Sequence, residues 1–185
     1  MGMPNFPTTA PYMPDPPGVR EIRLGDAWLA RWSDSNVLPE GVQASAVYAA
    51  VVMDGKGYIT RPKGETAWQS IEGYPEPGEK AEAALKRFLK ERMAATVARA
   101  DVVGFLECRS TSFHPSLPAG AASVQPVYLV VAKAVGNMAL DSKWERRRLP
   151  LNEHIAALRL AYPQYEEYFA KTVHLYAVLR ARGEA

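Results

Sequence analysis

Between Gly73 and Ala95 the chain reads GYPEPGEKAEAALKRFLKERMAA, a proline- and glycine-rich loop that runs directly into a charged amphipathic segment. Pro75 and Pro77 lack backbone donors and Gly78 is free to leave the ordinary backbone regions, so the loop half cannot join a regular ladder. Ala81, Leu85, Leu89 and Met93 then recur every fourth residue and put one apolar stripe on a helix running from about Lys80 to Ala95. A single stripe on a charged helix must lie against an apolar surface supplied by the rest of the chain.

That surface is legible on both sides of the segment. Ala44 to Met53 (ASAVYAAVVM) is almost wholly apolar and suits a strand buried on both faces. Asp54-Gly55-Lys56-Gly57 is a turn signal, with Tyr58 to Arg61 as the returning strand and Trp68 to Glu72 as a further short one. Asp101 to Arg109 and Val124 to Ala134 read as strands separated by Ser110 to Ser123, long enough for a functional flap. Arg146 to Pro150 is a short extended piece, Asn152 is placed to cap a helix, and Pro163 suits the first turn of a final one. Tyr165, Tyr168, Phe169, Thr172, Tyr176 and Leu179 mark the buried side of that last helix, and Gly183 ends it.

Ahead of this core, Val19 to Trp32 alternates as a β-hairpin around Gly25-Asp26, with Trp28, Ala30 and Trp32 on one face. Such a face serves as core, as a subunit contact or as a stacking surface. Residues 1–18 carry six prolines, which predicts an extended arm. The division is therefore an arm over 1–18, a hairpin and linker over 19–43, and a main domain over 44–185. Strands precede and interleave with helices, which predicts an α/β (α+β) fold: a mixed β-sheet sandwiched by helices, with the hairpin as an N-terminal extension and a long C-terminal helix.

Composition removes several classes. A net charge of +2 over 185 residues gives no basic face for nucleic acid. No apolar run reaches the roughly 20 residues of a membrane span, and no basic-then-apolar leader is visible. Cys108 is the one cysteine, which rules out an internal disulfide and fits a reducing compartment. A cytoplasmic location is the expectation. His114, His154 and His174 are too scattered for a zinc site.

The opening segment resembles the Nudix box, G-x5-E-x7-R-E-U-x-E-E-x-G-U with U aliphatic. Gly73, Glu79 and Arg87 fall at the first three fixed positions, and Leu89 and Glu91 at the aliphatic and first paired-glutamate positions. The resemblance covers roughly Ala44 to Leu160 and includes ERRRLPLNEH before the C-terminal helices. The general layout is similar to ADP-ribose pyrophosphatase-like members. It implies the Nudix fold, Mg²⁺ or Mn²⁺ as cofactor, a nucleotide-type small-molecule partner, and a homodimer. It also implies that Glu79 and Arg87 pair to tie loop to helix, while Gly73 shapes the loop.

The same alignment exposes two departures. The family aims three carboxylates at its metals from helix positions i, i+3 and i+4, which here are Phe88, Glu91 and Arg92. Phe88 offers no oxygen to a hard cation. A guanidinium about 5 Å from a divalent ion repels it by roughly 6–7 kcal/mol at an effective dielectric near 20, a ceiling that a side-chain swing would lower. The glycine that usually follows is Ala94.

Three functional readings follow. In the first, the chain is a pyrophosphohydrolase with a rearranged metal site. Glu91 is then the inherited metal ligand, Glu79 a catalytic candidate, and Glu76, Glu82 or Glu107 supply oxygens from new positions. The second, which the substitutions favour, is a relative with impaired or lost hydrolysis that retains nucleotide or phosphate binding. Arg92 and Arg61 are then the phosphate-binding candidates, with Lys63 and Arg146 to Arg148 adding to the field. The third is a structural or oligomerisation module built on the hairpin tryptophans and the tyrosine-lined helix.

Overall fold

The structure, a computed structural model, describes residues 21–185. The proline-rich arm and the first two residues of the expected hairpin lie outside the described residues.

The apolar run becomes the centre of the sheet. Val47–Met53 (β3) turns Val47, Ala49 and Val51 to one core and Tyr48, Ala50 and Val52 to the opposite face. Because both faces are dry, every side chain in the strand is apolar apart from the tyrosine hydroxyl. Ala122–Val135 (β7) pairs with β3 in parallel. On its other edge β3 takes two antiparallel partners, Lys56–Pro62 (β4) and Ile71–Gly73 (β5). Asp54 and Gly55 both adopt left-handed φ, 50° and 70°, which gives the β3–β4 hairpin a turn whose twist matches its strands.

Outward from this centre, Ala95–Ser110 (β6) pairs with β7, and Trp144–Pro150 (β8) forms the far edge on β4. The hairpin is present as Glu21–Leu24 (β1) and Trp28–Ser33 (β2), and β2 zips along β6, so the extension continues the same eight-stranded sheet. Its tryptophans turn inward: Trp32 meets Tyr165 and Tyr168 edge-on, with centroids 5.6 and 4.3 Å away. The Tyr168 hydroxyl closes the contact by donating to Ser33 O at 2.6 Å.

Helix α1 (Ala81–Met93) covers one face of the sheet, with Ala81, Ala84, Leu85, Phe88, Leu89 and Met93 buried. It stops two residues before the expected end. Ala94 takes a left-handed conformation (φ 52°, ψ 38°), its N–H caps the last carbonyls, and β6 starts at Ala95. Helices α2 (Leu151–Ala161) and α3 (Glu166–Ala181) cover the other face, so the sheet is sandwiched as the pattern predicts. No helix of the described residues is long and apolar enough to cross a membrane.

Two further details differ from the sequence reading. Pro150, not Asn152, stands at the α2 N-cap, because β8 runs straight into the helix. Pro163 opens a 3₁₀ turn rather than α3 itself: the residue before a proline is pushed out of helical space, and Tyr162 accordingly sits at φ −133°, ψ 67°. The long connection after β6 docks on the hairpin turn, with the His114 ring 4.6 Å from Trp28 and the Thr111 hydroxyl donating to Asp26 O.

His154 is wholly buried under β4, where a Cβ on Gly57 would stand 2.0 Å from its ring. Neither ring nitrogen has a well-formed hydrogen bond, although the Tyr58 backbone beside it offers partial compensation. Burial therefore pulls its pKa from the ordinary 6.5 down to about 4. Between those values the unfolded chain binds the extra proton. Stability is accordingly full above about pH 6.5 and falls on the order of 3 kcal/mol as pH drops to about 4. Urea unfolding from pH 7 to 4 is expected to show that slope, and His154→Leu to flatten it.

Candidate functional site

The loop and helix of the opening segment meet through one bidentate ion pair. Arg87 donates from Nε and one terminal nitrogen to the two Glu79 oxygens, at 3.0 and 2.6 Å. The second oxygen also accepts the Glu76 N–H at 2.8 Å, and Gln43 Nε2 donates to Glu79 O at 3.1 Å. The Arg87 hydrogen bonds, helped by the Glu76 amide, hold the Glu79 carboxyl near 2. Both Glu79 oxygens are thereby committed to the loop.

Gly73 ends β5 directly beneath the helix. A Cβ there would lie 2.5 Å from the Phe88 ring, which is 2% exposed. Glycine at this position is the space in which the phenyl group sits. Phe88, at the first ligand position of the family pattern, is thus part of the core beneath α1.

Arg92, one helical turn on, is half-buried between rings. Its guanidinium carbon lies 4.2 Å from the Trp144 centroid and 4.9 Å from that of Phe88, and it donates one hydrogen bond to Glu72 O. Among the described residues no carboxylate stands within ion-pair distance of it; Glu72 and Glu91 act on it only through space. Burial is the largest influence on its pKa and lowers it from 12.5, but a guanidinium keeps its proton in proteins. Its remaining N–H donors meet no acceptor among the described residues.

Two contributors escape a reading of the family pattern. Glu72 precedes Gly73, so strand alternation turns its side chain to the opposite face, where burial raises its pKa against the Tyr162 hydroxyl and the Arg92 charge. Tyr162 in turn accepts the Ser70 N–H at 3.2 Å. Trp144 opens β8 and walls Arg92 from outside. The available signal for both was period-two alternation, which assigns each a face but no partner.

The other candidates are dispersed. Arg61 has partners of its own, an ion pair with Glu145 at 2.7 Å and the Trp68 ring 4.5 Å away, and shares none of the contacts given for Arg92. Glu91 is 55% exposed, with Arg87 as its neighbour at 4.0 Å. Glu82 is exposed, and Glu107 lies in β6 opposite Arg31 of β2. Arg146 donates to Met93 O and to Gly136 O at 2.5 Å, pinning β8 to the end of α1.

This donor set does not fit Mg²⁺ or Mn²⁺. The family positions present a buried phenyl ring, one exposed carboxylate and a guanidinium, and Glu79 is spent on Arg87. Beside the stack, an open groove of about 1210 Å³ is lined by Lys86, Lys90, Lys143, Val97, Met138 and Trp144. None of the three lysines is in an ion pair among the described residues. Arg87 and the carboxylate of Glu91 line it too, so its charged groups are mainly cationic beside an apolar remainder, and Trp144, which stacks on Arg92, is part of its wall.

No protein-family profile matches the chain, and no curated protein matches it in sequence. Solved structures do. The Bacillus subtilis pyrophosphohydrolase BsRppH, in a mutant form, aligns over 66% of this chain and 72% of its own at 19% identity, with a TM-score of 0.50. The NUDIX domain of Shewanella oneidensis NrtR, solved with ADP ribose, aligns over 75% and 94% at 17% identity and a TM-score of 0.49. The E. coli dihydroneopterin triphosphate pyrophosphohydrolase covers 70% and 96% at 13% identity and a TM-score of 0.45.

The Gly73–Phe88 fit is testable by a double-mutant cycle. Gly73→Ala is expected to cost about 1–3 kcal/mol by overpacking. In a Phe88→Ala background the same change should cost much less, since the ring it strikes is gone. Urea denaturation of the four proteins measures the coupling.

Proposed function

We propose that this Nudix-fold protein binds the phosphates of a nucleotide-type ligand without metal-dependent hydrolysis. The observation that carries the reading is Arg92: a half-buried permanent cation held by two rings and one carbonyl, with no carboxylate in ion-pair contact among the described residues. A desolvated charge in that condition gains from an anion. A phosphate oxygen bearing a unit charge 4 Å away contributes up to about 4 kcal/mol at an effective dielectric near 20. The planar fork suits phosphate geometry, and the unpaired lysines of the neighbouring groove extend the positive field along a polyphosphate.

In this reading Glu79 and Arg87 are structural. The oxygens that catalysis requires are committed to loop closure, and the positions that hold metal in the family present Phe88 and Arg92. Arg61, whose charge is matched by Glu145 on the neighbouring strand, adds little to the field. The ligand class comes from the Nudix resemblance and from the pyrophosphohydrolase named among the structural neighbours, both of which point to phosphoanhydrides. Homodimerisation belongs to the same proposal. Its contact surface is sought away from the ring of Trp32, which is packed against α3 and the turn before it.

Calorimetry with ADP-ribose in EDTA is expected to show binding, weakened about ten- to a hundred-fold in Arg92→Ala as a charged hydrogen-bond partner is lost. No turnover is expected when Mg²⁺ or Mn²⁺ is added. Unchanged binding in Arg92→Ala, or metal-dependent release of AMP, would reject the proposal.

A further inference from the structure

The sheet ends at β8, which pairs with β4 on one side and with no strand on the other among the described residues. Thr60 of β4 exchanges both of its backbone hydrogen bonds with Gln69, at 3.0 and 2.9 Å, and so turns them away from its ladder partner, Arg146. Antiparallel pairs alternate between bonded and non-bonded. The N–H and C=O of Arg146, and two residues on those of Arg148, therefore point out of the sheet. The ends of the strand are closed: Ser142 Oγ accepts the Trp144 N–H at 3.1 Å and donates to Trp144 O at 3.4 Å, and Pro150 has no N–H. We propose that this edge docks an extended acidic peptide of a partner protein, which adds a strand beside β8.

Charge selects the kind of strand that fits. The one carboxylate of β8, Glu145, is taken by Arg61 at 2.7 Å. Arg147 and Arg148 are exposed, and neither is in an ion pair among the described residues. Arg148 lies opposite Tyr58, whose side chain belongs to the α1 face of the sheet. Arg147 lies opposite Ile59 on the α2/α3 face, where its guanidinium is held 4.6 Å from the Trp68 ring. The edge thus carries one unmatched guanidinium on each face. An added strand also alternates its side chains between faces, so two adjacent carboxylates on it reach both.

Other occupants match the edge less well. Arginines on an edge strand deter an uncharged one, and a second copy of β8 would set guanidinium groups against guanidinium groups. The chain's own first 18 residues hold six prolines and one carboxylate, Asp15, so they offer few ladder donors and little negative charge. A nucleic acid would meet the arginines but not the backbone donors and acceptors that alternate between them. An acidic polypeptide meets both, the ladder supplying affinity and the carboxylates supplying selectivity.

Amide NMR of the full chain titrated with a capped peptide of sequence VTVEEVTV tests this. The peptide is expected to saturate below about 1 mM, to slow hydrogen exchange at the Arg146 and Arg148 amides, and to bind more weakly in added salt. Arg148→Glu should weaken it about five- to ten-fold, as an exposed charge attraction becomes a repulsion. The same peptide N-methylated through its central residues keeps its charge but cannot complete the ladder, and should not bind. Neither ADP-ribose nor Arg92 enters the measurement, so it stands or falls apart from the nucleotide proposal. Equal binding of the N-methylated peptide, or equal shifts at β8 with a single-stranded oligonucleotide, would overturn the proposal. So would Arg146 and Arg148 amides already protected in a dimer without peptide, or peptide affinity unchanged in Arg148→Glu.

Discussion

The missing side chain of Gly73 is the constraint on which the site depends. The phenyl ring of Phe88 occupies the volume a Cβ would fill, and from that contact the neighbouring positions follow. With Phe88 seated on β5, the helix settles with Leu85, Leu89 and Met93 on the core and Arg92 against the strand edge, where Glu72 O and the Trp144 ring receive it. Arg87 is then free to reach back to Glu79 and close the loop. Loop, helix and sheet are held by one steric fit and one bidentate pair. The pair is solvent-accessible, so the dry contact carries more of the stability.

Holding a Nudix-type loop-helix together and arming it for metal chemistry are separable tasks. The first needs shape and a loop-to-helix tie, which Gly73, Glu79 and Arg87 supply. The second needs several free carboxylate oxygens converging on one point. In this chain the helix face that would present them carries an aromatic ring and a guanidinium, and the one carboxylate left, Glu91, sits half-exposed at the groove beside Arg87. The proposal gives the fixed charge of Arg92 the place where a metal would otherwise deliver positive charge. In the function proposed for it, the electrostatic task of meeting a phosphate is kept while Lewis-acid activation of water is given up.

Most of the fold was legible in the sequence because it rests on periodicity. The double-faced burial of β3, the Asp54-Gly55 turn, the stripe of α1 and the tyrosine side of α3 are local patterns with one physical solution each. The errors at helix ends came from single residues whose effect is non-local or competitive: Ala94 accepts a left-handed backbone so that β6 can begin, and Pro163 stops α2 at Tyr162 rather than starting α3. At the site, the Glu79–Arg87 link could be expected from the resemblance, but the environment of Arg92 could not. Glu72, Trp144 and Phe88 come from three separate elements, and only their packing shows that Arg92 has no carboxylate at contact distance among the described residues.

The central question is whether Arg92 meets the phosphate that a metal would otherwise meet. Crystals soaked with MnCl₂ and ADP-ribose, measured at the manganese edge, test that most directly. The expected map places the diphosphate on the Arg92 guanidinium, with Phe88 still seated on Gly73 and no anomalous peak at the helix. A manganese peak bound by Glu91, with Phe88 displaced and Arg92 swung away from Trp144, would contradict it.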